Sequence, residues 1–190
     1  MTMAMRSRDS DLRAALVAEL TANPAPGRIL HEMWVPPSNE RADVVEVNGQ
    51  LAAFELKSGS DDLSRLQRQL IAFSRIFEKV TVVCDPRHAD AVDKLAPPWC
   101  GAMQAAWSEH GVTFTPLRLA QPNPGLDPAW QLRLLWREEL LPAVKALGVK
   151  PMPIYHCDLR EAILTSYSHE QVSALVRDRL RIRDLSRRRF

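Results

Sequence analysis

Residues 41–57 read Arg-Ala-Asp-Val-Val-Glu-Val-Asn-Gly-Gln-Leu-Ala-Ala-Phe-Glu-Leu-Lys, and the way they fold back on themselves governs everything else in the chain. Two apolar runs, residues 42–47 and 51–57, have strand character and flank Asn48-Gly49, a strong hairpin signal. Asp43 and Glu55 sit inside these runs, where a lone ionised carboxylate is costly to bury. Lys57 follows Glu55 by two residues and therefore points to the same side of its strand.

Loop length decides whether the two acids meet. A two-residue Asn48-Gly49 turn sets Asp43 opposite Phe54 and sends Glu55 to the other face of the sheet. A three-residue loop restores the match. With Asn48-Gly49-Gln50 as the loop, Asp43 stands directly opposite Glu55; with Val47-Asn48-Gly49 the two are diagonal neighbours. A three-residue loop or a bulge is therefore expected. Two carboxylates and one ammonium at the end of a hairpin make a place for a divalent cation. Hard oxygen ligands of this kind suit Mg²⁺, which keeps several waters and takes one or two carboxylates plus phosphate oxygens.

Upstream of the hairpin, residues 11–21 carry apolar side chains at helical spacing behind Ser10, a plausible N-cap. Residues 28–35 are short and apolar, and fit either a strand or a single helical turn. Downstream, Leu63, Leu66, Leu70, Phe73 and Phe77 step by three and four, the buried stripe of a helix starting near Asp61 and Asp62, whose charges suit a helix N-terminus. Residues 80–84 form a continuous apolar run, the pattern of a strand covered on both faces. A helix from Asp85-Pro86 to about Leu95 and a strand over residues 112–119 follow. The order α, β, β, β, α, β, α, β predicts an α/β protein with a mixed sheet flanked by helices. Beyond residue 125, residues 126–147, 159–166 and 170–185 read as helices, so a second unit over residues 126–190 is expected beside a first over 1–125.

The 190 residues carry 25 Lys and Arg against 23 Asp and Glu, a net charge of +2. That sum hides an asymmetry, since residues 177–190 hold seven Arg and two Asp. Such a tail lines DNA in one reading and is a solvated terminus in the other. Three cysteines make no disulfide framework, and none pairs with another Cys or a His at zinc-ligand spacing. No run approaches the ~20 apolar residues a membrane span needs, and the first eleven residues lack the apolar core of a secretory signal. A cytoplasmic protein is expected. The five histidines show no ligand spacing, and Trp130 and Trp136 are expected in a helical core.

Asp43, an eleven-residue gap and then Glu55-Leu56-Lys57 on the next strand resemble the PD-(D/E)XK phosphodiesterase superfamily, the restriction-endonuclease-like nucleases, whose core runs α-β-β-β-α-β. Ala42-Asp43 stands in place of the usual Pro-Asp. Gln69, with Phe73 four residues on, is similar to the Gln-x-x-x-Tyr element of some branches, with Phe for Tyr. With Leu135-Trp136-Arg137-Glu138-Glu139-Leu140, the pattern also resembles a little-characterised bacterial and phage family placed in that superfamily. The superfamily resemblance covers about residues 10–120.

The resemblance implies Mg²⁺-dependent hydrolysis of phosphodiester bonds in nucleic acid, with DNA the expected substrate and Mn²⁺ a substitute metal. Asp43 and Glu55 would be metal ligands together with the backbone carbonyl of Leu56. Lys57 would orient the attacking water and screen charge growing on the phosphate, with Gln69 bordering the site. An acid upstream of Asp43 often joins such sites; Glu32 is the first candidate and Glu19 the second. Arg41 and Arg65 are candidate phosphate contacts. A homodimer is compatible with the sequence, and the rival reading is a module on the same fold that binds nucleic acid or protein without cutting.

Overall fold

The structure is a computed structural model that describes residues 9–23, 27–109, 111–148, 150 and 155–184. The chain divides into two compact units, Met1–Leu126 and Asp127–Phe190.

The first unit is built on a six-stranded mixed sheet. Helix α1 (Asp9–Thr21) leads into strands β1 (Arg28–Val35), β2 (Glu40–Val47) and β3 (Leu51–Lys57). Helix α2 (Leu66–Phe73), β4 (Lys79–Cys84), α3 (Ala89–Leu95), β5 (Gly101–Ser108) and β6 (Gly111–Arg118) follow. The strands lie in chain order; β1–β2, β2–β3 and β5–β6 are antiparallel, whereas β3–β4 and β4–β5 are parallel. The parallel pairs arise because α2 and α3 carry the chain back between successive strands, as parallel pairing requires.

Alternation along the strands divides the core. Val44, Phe54 and Leu56 join Leu12 and Leu16 of α1 in one buried cluster with Val83 and Ala105. Asp43, Glu55 and Lys57 have the opposite parity and belong to the other face. The α2 stripe is buried as its period demands, with Leu66, Leu70 and Phe73 all at 2% exposure or less and the Phe73 and Phe77 rings meeting edge to face at 5.5 Å.

Three readings of the element boundaries require correction. Residues 101–108 form β5, an interior strand that Gly-Ala-Met-Gln-Ala-Ala-Trp-Ser does not announce, because it holds no β-branched residue. Small residues are needed there: a Cβ on Gly101 would lie 2.9 Å from Ala120 N and from Thr81 Oγ1. Second, α2 begins at Leu66 rather than near Asp61. Asp61 Oδ2 instead accepts from Ser58 N (2.7 Å) and Ser58 Oγ (2.6 Å), while Asp62 Oδ1 accepts from Ser64 N (2.8 Å), so both acids tie down the preceding loop. Third, residues 126–147 are broken rather than one helix. The segment 28–35, open between strand and helical turn, is the strand β1.

In the second unit, α4 (Pro128–Gln131) is capped by Asp127, whose Oδ1 accepts from Ala129 N at 2.9 Å, and a short 3₁₀ turn (Leu132–Leu134) follows it. The backbone is extended at Leu135 and Trp136. Helix α5 (Arg137–Ala146) then restarts where Glu139 Oε2 accepts from Trp136 N at 2.7 Å. Helices α6 (His156–Ser166) and α7 (His169–Ile182) complete the unit, the latter capped reciprocally by Ser168 and Gln171. Gln131 and Ser173 are buried and satisfy each other across 2.8 Å. Trp130 and Trp136 are half-buried rather than core, each with a guanidinium over its ring: Arg133 at 5.7 Å and Arg183 at 4.3 Å. Arg183 also pairs with Glu139, so this tail arginine is engaged within the fold. The tail residues 185–190, like His110, lie outside the described residues. No helix among the described residues is long and apolar enough to cross a membrane.

Candidate functional site

The hairpin closes on Val47 opposite Leu51, leaving Asn48-Gly49-Gln50 as a three-residue loop. Gly49 supplies the positive φ (+67°) that such a loop needs, and Asn48 N donates to Gln50 O at 3.0 Å. The register runs through Val45–Ala53 and Val44–Phe54, so its next position sets Asp43 against Glu55, as the parity argument requires. Asp43 reaches across to β3 with its side chain: Oδ2 accepts from Leu56 N at 2.8 Å.

The row extends one strand further. Between the pairs His31–Val44 and Met33–Ala42, the β1–β2 register places Glu32 opposite Asp43. Three acids therefore occupy successive positions on β1, β2 and β3. Glu32 departs from extended backbone, with φ +50°, a left-handed conformation that is uncommon outside glycine. Its carboxylate is taken by Arg13 of α1, with Arg41 Nε 3.7 Å away on its other oxygen.

Glu55, Lys57 and Gln69 form the buried part of the site, at 1%, 7% and 6% exposure. Lys57 Nζ donates to Glu55 Oε1 (2.9 Å) and to Gln69 Oε1 (3.0 Å), which holds the ammonium between strand and helix. Among the described residues Glu55 Oε2 is buried without a hydrogen-bond partner. Burial, reinforced by the neighbouring Asp43 carboxylate and only partly offset by Lys57, pushes the Glu55 carboxyl up to about 8. Asp43 is also raised, chiefly by burial, against the opposing hydrogen bond from Leu56 N.

Asp43, Glu55, Lys57 and Gln69 thus come together as one set, with Leu56 offering its N–H to Asp43. Glu32 borders the set through Arg13, while Glu19 is exposed on α1 and stands outside it. Arg65 and Arg68 reach the buried Glu40 at 3.2 and 2.5 Å, although their side chains remain 60% and 67% exposed. Burial disfavours the Glu40 carboxylate, but the hydrogen bonds from these two arginines outweigh it and lower its pKa. Arg41 is 65% exposed.

Sequence reasoning missed Arg13 and Glu40. For Glu40 a signal existed: Arg65 and Arg68 lie three apart on one helix face. Arg13 carries none, since thirty residues separate it from Asp43. An open cavity of about 740 Å³ between α1 and β1 is lined by Asp9, Arg13, Val17, His31 and Glu32, among others.

Among the described residues no group of three or more His, Cys, Asp or Glu side chains gathers as a metal cage. A cation here would rest on the Asp43–Glu55 pair, backbone oxygen and water. Those residues fit a small hard cation: the donors are carboxylate and carbonyl oxygens, and Glu55 keeps a buried oxygen with no hydrogen-bond partner among the described residues.

Fold and site together define a mixed α/β protein whose six-stranded sheet, flanked by helices, carries a buried acid–lysine centre beside its hairpin. Residues 3–189 match the profile of the family described as Bacteriophage P4 protein cII, and the chain belongs to that family. It is 30% identical over 176 residues to protein cII of Enterobacteria phage P4, an alignment covering 92% of this chain and 67% of that protein. Among solved structures, SPO1766, a protein of unknown function from Silicibacter pomeroyi, aligns with a TM-score of 0.48 at 18% identity, over 78% of this chain and 96% of that one.

Proposed function

We propose that this chain is a metal-dependent nuclease of the PD-(D/E)XK type, hydrolysing phosphodiester bonds in nucleic acid, with DNA as substrate. The observation that carries the reading is that Asp43 and Glu55 follow directly on the last β2–β3 pair, Val44–Phe54, with Lys57 held to Glu55 beside them and Glu55 Oε2 buried without a hydrogen-bond partner among the described residues. The order α1-β1-β2-β3-α2-β4 at the start of the chain supports the restriction-endonuclease-like core.

Asp43, Glu55 and the Leu56 carbonyl are the residues that would hold Mg²⁺, or Mn²⁺ in its place. Such an ion supplies a bound water of lowered pKa and positive charge against the phosphoryl oxygens. Lys57 is tethered to Glu55 and Gln69, which leaves its third N–H to orient a water or a phosphate oxygen. Gln69 serves as the anchor that keeps the ammonium in place. Arg41 and Arg65, whose side chains are largely exposed, would meet flanking phosphates in this reading, where they set position rather than sequence preference.

The test is cleavage of linear and supercoiled DNA by the purified protein in Mg²⁺. Asp43→Ala and Lys57→Ala are each expected to slow cleavage by about a hundredfold or more. Variants that degrade DNA as fast as the unmodified chain rule the reading out. Arg13 lies 3.4 Å from Asp43 and Lys57 2.9 Å from Glu55, so each acid already has a cation beside it, and this favours a second reading, a module that binds without cutting. It predicts DNA retention with no product in any divalent cation, and binding indifferent to Glu55→Gln.

A further inference from the structure

Arg13 is the least explained member of the ion cluster. It projects from α1 and is 19% exposed; Nη2 lies 3.1 Å from Asp9 Oδ2 and 3.4 Å from Asp43 Oδ1, while Nη1 pairs with Glu32. Among the described residues its Nε is buried with no hydrogen-bond partner, and the guanidinium is oriented there by Asp9, Glu32 and Asp43. The left-handed backbone at Glu32 is a second, independent sign of constraint at this spot. A non-glycine residue at φ +50° carries strain that surrounding structure must maintain. The side chain thus presented meets Arg13. Both residues line the open α1–β1 cavity, so ions reach the cluster from solvent.

We propose that Arg13 is a positioning residue that acts through Asp43 and Glu32, supplying in the metal-free protein part of the positive charge that a divalent cation brings to Asp43. The proposal rests on the nuclease reading above. Glu32, in this view, draws the guanidinium toward β1 and keeps Asp43 from being fully neutralised. Arg13 and a cation are then electrostatic alternatives at one carboxylate. The arginine sets how readily the site takes up metal.

Titration of the whole protein with Mn²⁺ alone, with free ion followed by electron paramagnetic resonance, tests this. Arg13→Gln removes the charge and keeps hydrogen-bonding capacity; it is expected to tighten Mn²⁺ binding roughly three- to tenfold. Arg13→Lys is expected to stay within about twofold of the unmodified chain. A side chain that merely scaffolds the acids gives the opposite sign, so unchanged or weaker binding in Arg13→Gln overturns the proposal. Should that variant fail to fold, Arg13→Met decides: it removes the same charge, and Mn²⁺ binding is expected to tighten by a similar factor, whereas unchanged or weaker binding overturns the proposal. If neither the unmodified chain nor Arg13→Gln binds Mn²⁺, the metal reading itself falls and this inference with it. Binding by the unmodified chain that Arg13→Gln does not tighten removes this inference alone.

Discussion

Glu55 is at 1% exposure and shares its surroundings with a second carboxylate, so its protonation is bound to the stability of the fold. Its carboxyl rises from the usual 4.5 to about 8, first through burial and then through Asp43. A raised pKa means that the fold favours the neutral form. The stabilisation is complete below about pH 4.5 and is lost as pH climbs through 8. Without divalent cation, the unmodified protein is therefore expected to lose on the order of a few kcal/mol from this group between those limits. Glu55→Gln cannot ionise, and its stability curve should be flatter over the same range. Thermal melts of both proteins at about pH 5, 6.5 and 8 check this; parallel slopes would show that Glu55 ionises normally in the fold. At this scale the alternation of residues made Asp43, Glu55 and Lys57 legible. Arg13 was not, because an ion pair between a helix and a strand thirty residues apart leaves no periodic trace.

A hairpin loop is where a single residue acts on a whole element. Gly49 adopts φ +67°, and among the described residues, its two chain neighbours aside, no atom lies within 4 Å of where a Cβ would sit. The cost of Gly49→Ala is therefore backbone strain without a clash. Urea denaturation is expected to show a loss of about 1 kcal/mol, while Gln50→Ala, exposed in the same loop, stays within about 0.5 kcal/mol. Equal effects at the two positions would mean that the loop conformation is not what the φ angle indicates. The loop count was legible because the two acids must share a face, which a three-residue loop or a bulge permits and a two-residue turn does not. Strand β5 was not legible. Its small residues are chosen for what crowds them, Ala120 and Thr81 against Gly101, and that crowding exists only once the sheet has formed. The start of α2 was misplaced for a related reason, since Asp61 and Asp62 cap a loop rather than the helix.

At the scale of the molecule, Arg13, Glu32, Asp43, Glu55, Lys57 and Gln69 all lie within Met1–Leu126. The sheet and both of its helical faces also lie there, so this unit has a core of its own. A chain ending at Leu126 is expected to unfold cooperatively and to bind Mn²⁺ within about threefold of the full-length protein. Circular dichroism melts and the same metal titration measure both. A folded fragment that has lost metal binding would assign part of the site to residues 127–190 instead.

Periodicity along the chain was enough for the mixed α/β class, the hairpin, the loop length it needs and the acids that face each other, since each follows from the two-residue repeat of a strand or the 3.6-residue repeat of a helix. Three things belong to the tertiary structure alone: strand β5, the break between α4 and α5, and the arginine of α1 that takes up Glu32 and Asp43. Strand order and ion pairing depend on which surfaces meet after collapse, and side chains distant in the chain find each other there without any local pattern to mark them.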